Sequence, residues 1–254
     1  MEESLRHFYR YRALNNETAL NYLEQTIRSN ELFFPKASSF NDPFDCRPVF
    51  SFDSNEEEMK RYLKRVTAKN MRGANRLERR SQESGALRRF QETKARKRLI
   101  QTNLHHITEK VGILCLSELA DDILMWSHYA DSHRGVCLEF DAQSDFFARA
   151  QSVKYQLDRP ILNPILDSPA RMAVSALLTK AEHWAYEKEW RIVEYEKGPG
   201  VYHFPPSALT GIIFGSQISE TLVSTISSWV TKRPHELKLR RASIDPVAYS
   251  IQIG

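Results

Sequence analysis

Several features that define common protein classes are missing from this 254-residue chain. No stretch approaches the roughly 18 consecutive apolar residues that a membrane-spanning helix needs. Residues 1–6 lack the apolar core of a secretory signal peptide. Only three cysteines are present, and no two of them have the CxxC spacing of a zinc or redox site. We therefore expect a cytoplasmic protein with reduced thiols, no bound metal and no membrane association.

The familiar catalytic motifs are also missing. The chain contains no GxGxxG, GxxxxGK[ST], HExxH or GxSxG, which argues against dinucleotide-binding Rossmann, P-loop, zinc-protease and serine-hydrolase classes. Four histidines lack the spaced partners that a zinc site needs: His105, His106, His128 and His133. Any chemistry must therefore come from other polar groups.

The fold class follows from the mixture of elements. An apolar fraction of 41% is sufficient for a sizeable core. Short apolar or aromatic runs, such as 8–12, 111–117 and 210–215, are typical of strands, and helical patterns are interspersed without regular alternation. We predict one α+β domain over residues 1–254, with a mixed, mostly antiparallel (split) sheet and helices on its faces.

Residues 55–108 differ from the rest in being rich in charge and poor in glycine and β-branched residues. This composition predicts a basic helical insertion. One interpretation is a solvated helical surface; the other is a docking surface for nucleic acid, because clustered cations release counterions from phosphates. The candidate nucleic-acid-binding residues are Arg76, Arg79, Arg80, Arg88, Arg89 and Arg96.

Three other segments carry candidate binding residues. In the strand 8–12, Tyr11 would lie on one side and Arg10 on the other. The proline-containing loop 35–46 carries Asn41 and Asp42, which either bind a ligand or satisfy their own loop. A short amphipathic helix starting after Asp121 and Asp122 carries Ser127, His128 and Tyr129.

The run 183–193 is the most informative stretch. Alternation along a strand would place Glu187, Glu189 and Arg191 on one side, with Lys188 and Trp190 on the other. Two carboxylates and a guanidinium cannot be buried unpaired. This face is therefore either the solvated side of an edge strand or the lining of a polar cleft in which Glu189 acts chemically.

Five motifs resemble a bacterial family of unknown function whose genes neighbour phage-defence or abortive-infection systems. They are FYRYR, FNDPFDC, ILCLSE, DDILMWSHYADSHRGVCLEFD and WAYEKEWRIV. The resemblance implies a toxin or antiviral defence effector, with an antitoxin or another defence protein as its partner. It leaves the reaction and the oligomeric state open.

The order of three features also resembles toxin-type ADP-ribosyltransferases, which carry a basic residue on the first strand, an aromatic in a middle element and an E-x-E glutamate on a later strand. Arg10, Tyr129 and Glu187-Lys188-Glu189 have this order. The resemblance implies NAD as cofactor, with Glu189 stabilising the positively charged ribose and Glu187 orienting the acceptor.

In the same resemblance Arg10 would hold the pyrophosphate and Tyr129 would stack on nicotinamide. The remaining residues assigned to the NAD pocket are Tyr11, Asn41, Asp42, Ser127 and His128. Two alternatives stay open. One is a non-catalytic sensor that binds a ligand in the same cleft. The other is a metal-dependent nuclease using Asp42, Asp45, Glu187 and Glu189.

Overall fold

The structure, a computed structural model, describes residues 5–90 and 93–254, and the side chains of residues 87–96 are not described. Contacts between residues divide the chain into two compact units. The sheet unit consists of the described residues within Met1–Lys36, Val111–Tyr155 and Glu182–Gly254, and the helical unit of Ala37–Lys110 and Gln156–Ala181. Our expectation of a single domain over 1–254 with an insertion at 55–108 stays a prediction.

Fourteen strands are present in the described part of the chain. They are β1 (His7–Arg12), β2 (Glu31–Phe34), β3 (Val49–Phe50), β4 (Gly112–Ser117), β5 (Val136–Asp141), β6 (Gln151–Ser152), β7 (Lys154–Gln156), β8 (Ile161–Leu162), β9 (Thr179–Ala181), β10 (Glu189–Glu194), β11 (Gly200–His203), β12 (Leu209–Phe214), β13 (Lys238–Ile244) and β14 (Ile251–Ile253). Eight of them form one sheet in the order β14-β13-β12-β5-β1-β4-β10-β6. All neighbours in this sheet are antiparallel except β12 and β13, which are parallel.

The helices are α1 (Glu17–Ser29), α2 (Glu56–Asn70), α3 (Arg76–Phe90), α4 (Thr93–Glu109), α5 (Ile123–Tyr129), α6 (Pro169–Leu177) and α7 (Glu220–Val230), with 3-10 turns at Ala37–Ser39, Glu182–Glu187 and Pro206–Ala208. Together with the large mixed sheet, they confirm the predicted α+β class. Helix α1 begins after Asn16, whose side chain accepts a hydrogen bond from the Ala19 amide. It ends at Asn30, which adopts the left-handed conformation (φ 57°).

Helices cover both faces of the sheet because its strands alternate apolar side chains between two cores. One core includes Phe8 and Leu138 from the strands and Ile27 from α1. The other includes Tyr11 and Trp126, the latter from α5. We name these the α1 face and the α5 face of the sheet.

The predicted strand over 183–193 is wrong in its first half. Residues 182–187 form a 3-10 turn, and β10 begins only at Glu189. Between them, Lys188 adopts a left-handed conformation (φ 44°), which interrupts strand alternation. Glu187 is therefore not in the strand, whereas Glu189 and Arg191 alternate as predicted.

The helical unit is built from α2, α3, α4 and α6, so the segment after residue 55 is helical as predicted. Asn55 caps α2, and its amide in turn donates to Glu58 in a capping box. Inside this unit, Lys180 Nζ lies 4.0 Å from Asp45 Oδ2, and both side chains are buried. None of the helices in the described part of the chain combines the length and the apolar character that a membrane-spanning helix requires.

Candidate functional site

Helix α5 and its capping residue position the first group of side chains on the α5 face. Asp122 accepts a hydrogen bond of 2.8 Å from the Met125 amide and thereby fixes the start of the helix. Trp126 is fully buried, and its indole nitrogen donates to the Ala120 carbonyl at 2.8 Å. Tyr129, the last residue of α5, lies one turn beyond Trp126 and is half-buried.

Tyr129 connects α5 to the segment before β10. Its hydroxyl donates to Oε1 of Glu187 at 2.6 Å. Glu187 is buried, and its backbone carbonyl accepts a hydrogen bond of 2.7 Å from the Ser117 hydroxyl. The carboxylate thus has a fixed position, held by α5 on one side and by the end of β4 on the other.

Glu189 forms a bidentate ion pair with Arg191, two residues further along β10. Nε of Arg191 lies 2.7 Å from Oε1 of Glu189, and a terminal nitrogen of the same guanidinium lies 2.9 Å from Oε2. Arg191 is 0% exposed and Glu189 is 4% exposed. The charges predicted for this face are therefore buried and paired, as a low-dielectric environment requires.

The register of the sheet places Glu189 in a row of polar side chains across three strands. Glu189 is opposite Ser117 on β4, and Ser117 is opposite Tyr9 on β1. Side chains of directly opposed residues project from the same face of a sheet. The main chain at Glu189 is also fixed, because its amide donates to the Tyr155 hydroxyl at 2.7 Å.

The row continues into a second polar cluster, centred on Glu139 of β5. This cluster was not predicted from the sequence. Tyr9 donates to Glu139 at 3.3 Å, Thr210 donates to the same carboxylate at 3.0 Å, and Arg240 forms an ion pair with it. Burial alone would raise the pKa of Glu139, but the hydrogen bonds from Arg240 and Thr210 outweigh it and lower the pKa. Burial and the Glu139 charge raise the pKa of Tyr9 to about 12.

Aromatic rings gather beside Tyr129. The ring of His128 lies 6.4 Å from those of Trp184 and Tyr186, and these two lie 6.0 Å from each other. His128 is exposed, whereas the other rings are half-buried. Such a group of partly exposed rings offers a stacking surface for a flat ligand.

Ser127 is engaged within its own helix and with the following turn. Its hydroxyl donates to the Ile123 carbonyl at 2.8 Å and lies 3.3 Å from Nε2 of His133. Three consecutive residues of that turn, Asp131, Ser132 and His133, have positive φ angles of 49°, 51° and 67°. Non-glycine residues in this conformation are strained and persist only where the surrounding structure holds them.

Tyr11 and Arg10, the two candidate binding residues on β1, lie on opposite faces of the sheet. Tyr11 is on the α5 face, where its hydroxyl donates to the Leu119 carbonyl at 2.8 Å and burial raises its pKa. Arg10 is opposite Leu138, which belongs to the α1 core. The NAD pocket predicted from the sequence would contain both Arg10 and Glu189, but strand alternation sends these two side chains to different sides of the sheet.

Asn41 and Asp42 belong to the helical unit. Asp42 accepts a hydrogen bond of 2.8 Å from the Phe44 amide, so its carboxylate satisfies its own loop, one of the two interpretations of this segment. Their assignment to an NAD pocket stays a prediction.

The basic residues of the helical unit are described only in part. Arg76 and Arg80 on α3 are exposed, and Arg79 is half-buried. The side chains of Arg88, Arg89 and Arg96 lie outside the part of the chain whose side chains are described. Across the described residues, no group of three or more His, Cys, Asp or Glu side chains has a metal-binding arrangement.

Comparison with known proteins gives one result. A family profile described as Protein of unknown function (DUF2971) matches residues 125–192. No curated protein and no solved structure matches the chain. The matched segment begins within α5 and ends within β10, so it contains Tyr129, Glu187, Glu189 and Arg191, but not Arg10. The chain is thus similar to this family over residues 125–192, and the match includes the hydrogen-bonded and ion-paired residues described above.

Proposed function

We propose that the sheet unit catalyses ADP-ribosyl transfer from NAD, with Glu189 as the catalytic carboxylate. The observation that carries the proposal is the pair of buried carboxylates Glu187, in the turn before β10, and Glu189, the first residue of β10. Tyr129 fixes the first and Arg191 the second. Two buried and firmly oriented carboxylates are costly to maintain. A group that must stabilise developing positive charge needs this kind of fixed orientation.

The proposed mechanism assigns Glu189 to the ribose of NAD. Cleavage of the nicotinamide–ribose bond develops positive charge on the sugar, as in glycoside hydrolysis. An ionised carboxylate already oriented toward that position stabilises the charge without reorganisation. Arg191 contributes as a positioning residue, because its forked hydrogen bonds hold both oxygens of Glu189 in one plane.

We assign Tyr129 and the neighbouring aromatic rings to the nicotinamide, which is the leaving group of the reaction. The rings of Trp184 and Tyr186 beside His128 provide a stacking surface for nicotinamide. Glu187, held by the Tyr129 hydroxyl, would orient the nucleophile of the acceptor. The assignment of the pyrophosphate to Arg10 is not retained, because Arg10 is on the α1 face.

The acceptor and the biological setting are further parts of the proposal. Exposed arginines of α3, such as Arg76 and Arg80, would attract a nucleic-acid acceptor through its phosphates. A role as a toxin or antiviral defence effector in the cytoplasm, with an antitoxin or another defence protein as partner, rests on the motifs that resemble defence-associated families.

A second candidate function is ligand binding without turnover. It is favoured by the fact that both oxygens of Glu189 are already engaged by Arg191. A carboxylate that remains in this ion pair when the ligand binds would support the sheet and the cleft but would not contact the ribose.

The test is nicotinamide release from labelled NAD by the full chain, in parallel with cleavage of RNA in the presence of Mg²⁺. Glu189→Gln should reduce nicotinamide release about 100- to 1,000-fold, the cost of removing one well-oriented electrostatic contact. Glu196→Gln is the matched control, because it removes an exposed carboxylate just after the same strand. Circular dichroism confirms that both variants are folded.

The outcomes distinguish the candidates. Unchanged nicotinamide release in Glu189→Gln contradicts the proposal, and NAD binding without turnover by the wild type supports the sensor. RNA cleavage that needs Mg²⁺ supports the nuclease. If Glu189→Gln does not fold, Trp184→Ala replaces it, since loss of the stacking ring should raise KM for NAD more than it lowers kcat.

A further inference from the structure

The α1 face of the sheet contains a second polar pocket. Arg10 and Arg12 of β1 both project there, because they alternate with the tyrosines of the same strand. The pocket is closed on the other side by α1 and by β2. Its lining residues include Arg10, Arg12, Tyr22, Gln25, Thr26 and Glu31.

Neither guanidinium has an anionic partner in the part of the chain that the structure describes. One terminal nitrogen of Arg10 is buried and makes no hydrogen bond to any described residue. Glu31 lines the same pocket, yet no ion pair within 4.0 Å joins it to Arg10 or Arg12 among the described residues. Two like charges thus share a partly enclosed space, which is unfavourable unless an anion balances them.

The pKa values of both Arg10 and Arg12 are lowered in this environment. Burial, and secondly the nearby charge of Arg12, lowers the pKa of Arg10 to about 9. Burial also lowers the pKa of Arg12. Guanidinium groups remain protonated in proteins, so the pocket is positively charged.

The mouth of the pocket is apolar and aromatic. The rings of Tyr22 and Phe33 lie 5.9 Å apart with an angle of 24° between their planes. Tyr22, Phe33 and Val201 line the pocket and are 36%, 39% and 50% exposed. A stacked pair of exposed rings beside two half-buried arginines is suited to a ligand that is anionic at one end and flat at the other.

We propose that this pocket binds the phosphate group of a nucleoside monophosphate, with the phosphate between Arg10 and Arg12 and the base against Tyr22 and Phe33. Arginine forks match the oxygens of a phosphate. The enclosed cavity is about 10 Å³, which is room for one water-sized group. One phosphate oxygen therefore enters it, and the other oxygens and the nucleoside remain at the mouth.

This pocket is independent of the proposed transferase site. Arg10 and Glu189 lie on opposite faces of the sheet, and the two sites share no residue. The inference consequently does not rest on the proposed function, and its test uses no NAD.

Binding is measured by isothermal titration and by thermal unfolding of the full chain with 5′-AMP, adenosine, inorganic phosphate and acetate. We expect 5′-AMP to bind most tightly, phosphate more weakly and adenosine weakest. At a hundredfold excess over Kd, 5′-AMP should raise Tm by about 5–10 °C. Arg10→Met should abolish this shift, and the exposed Arg6→Gln, a control of equal charge change, should keep it.

The ligand-free protein provides a second readout. An unpaired buried guanidinium is destabilising, so Arg10→Met should have a Tm equal to or above that of the wild type in buffer without anions. A lower Tm, or 5′-AMP binding that survives Arg10→Met and Arg12→Met, overturns the proposal. Equal binding of phosphate and 5′-AMP shows an oxyanion site without base recognition and contradicts the proposed ligand class.

Discussion

Tyr129 and Glu187 are 58 residues apart in the sequence and are joined by a hydrogen bond of 2.6 Å. The bond connects the C-terminal residue of α5 to the segment that leads into β10. Both residues lie within the segment that matches the family profile. Since Glu187 is buried, this hydroxyl compensates its carboxylate for part of the water that it has lost.

We expect Tyr129→Phe to lower the free energy of unfolding by about 1–3 kcal/mol, because it removes a hydrogen bond to a buried carboxylate and leaves that acceptor less satisfied. Urea unfolding monitored by circular dichroism measures the change. Tyr249→Phe is the matched control, since Tyr249 is fully exposed and should change stability by less than about 0.5 kcal/mol. Equal stability of the two variants would contradict this role of the hydroxyl.

Asp122 is expected to contribute to the position of Tyr129 through the helix that connects them. Asp122→Ala removes the N-cap of α5 and should destabilise the protein by about 0.5–2 kcal/mol. Asp122→Asn should retain most of the stability, because asparagine caps helices about as well. The same urea unfolding experiment applies, and similar losses in both variants would show that the negative charge matters more than the cap.

The Glu189–Arg191 pair should show strong energetic coupling. Arg191→Met leaves a buried carboxylate without this partner and should cost about 3–5 kcal/mol. Addition of Glu189→Gln to that variant should restore part of the loss, because no charge is then left unpaired at these two positions. A double-mutant cycle should give a coupling energy of about 1–3 kcal/mol.

The surface pair Arg241–Glu220 provides the comparison for this cycle. Its side chains are 46% and 75% exposed. Exposed pairs are screened by water and typically contribute less than about 1 kcal/mol. A coupling energy at Glu189–Arg191 as small as that of the surface pair would show that the buried contact contributes little.

Acid should weaken the cluster around Glu139. The pKa of Glu139 is lowered in the folded protein, so the unfolded chain binds the proton more readily. The stabilisation from its ionised form is therefore complete above the unfolded pKa of about 4.3 and is lost as the pH falls through the folded value. Unfolding free energies of the wild type and Glu139→Gln, measured from pH 7 to about pH 3, should converge. A constant difference would show that ionisation of Glu139 is not involved.

Local sequence signals predicted much of the fold. The asparagine before α1 and the aspartate before α5 both cap their helices, since a short polar side chain at that position satisfies free amides. The alternation of tyrosine and arginine in β1 is confirmed in the register with β5. These features depend on neighbouring residues and are therefore readable from the sequence.

Features that depend on distant contacts were not predictable in the same way. No local signal indicated that Lys188 adopts a left-handed conformation, because lysine rarely does so. The face on which Arg10 lies relative to Glu189 depends on which strands are neighbours and in what register. Similarly, the cluster of Tyr9, Glu139 and Arg240 joins three strands from distant parts of the chain.

The alternation along β1 has a consequence for variation of this protein. Consecutive residues of this strand project from opposite faces of the sheet. Substitutions at odd-numbered positions should therefore affect the α5 face, and those at even-numbered positions the α1 face. Insertion or deletion of a single residue in β1 would instead exchange the two sets, placing guanidinium groups where phenols now pack beside Trp126. We therefore expect length changes within His7–Arg12 to be tolerated far less than substitutions of its individual side chains.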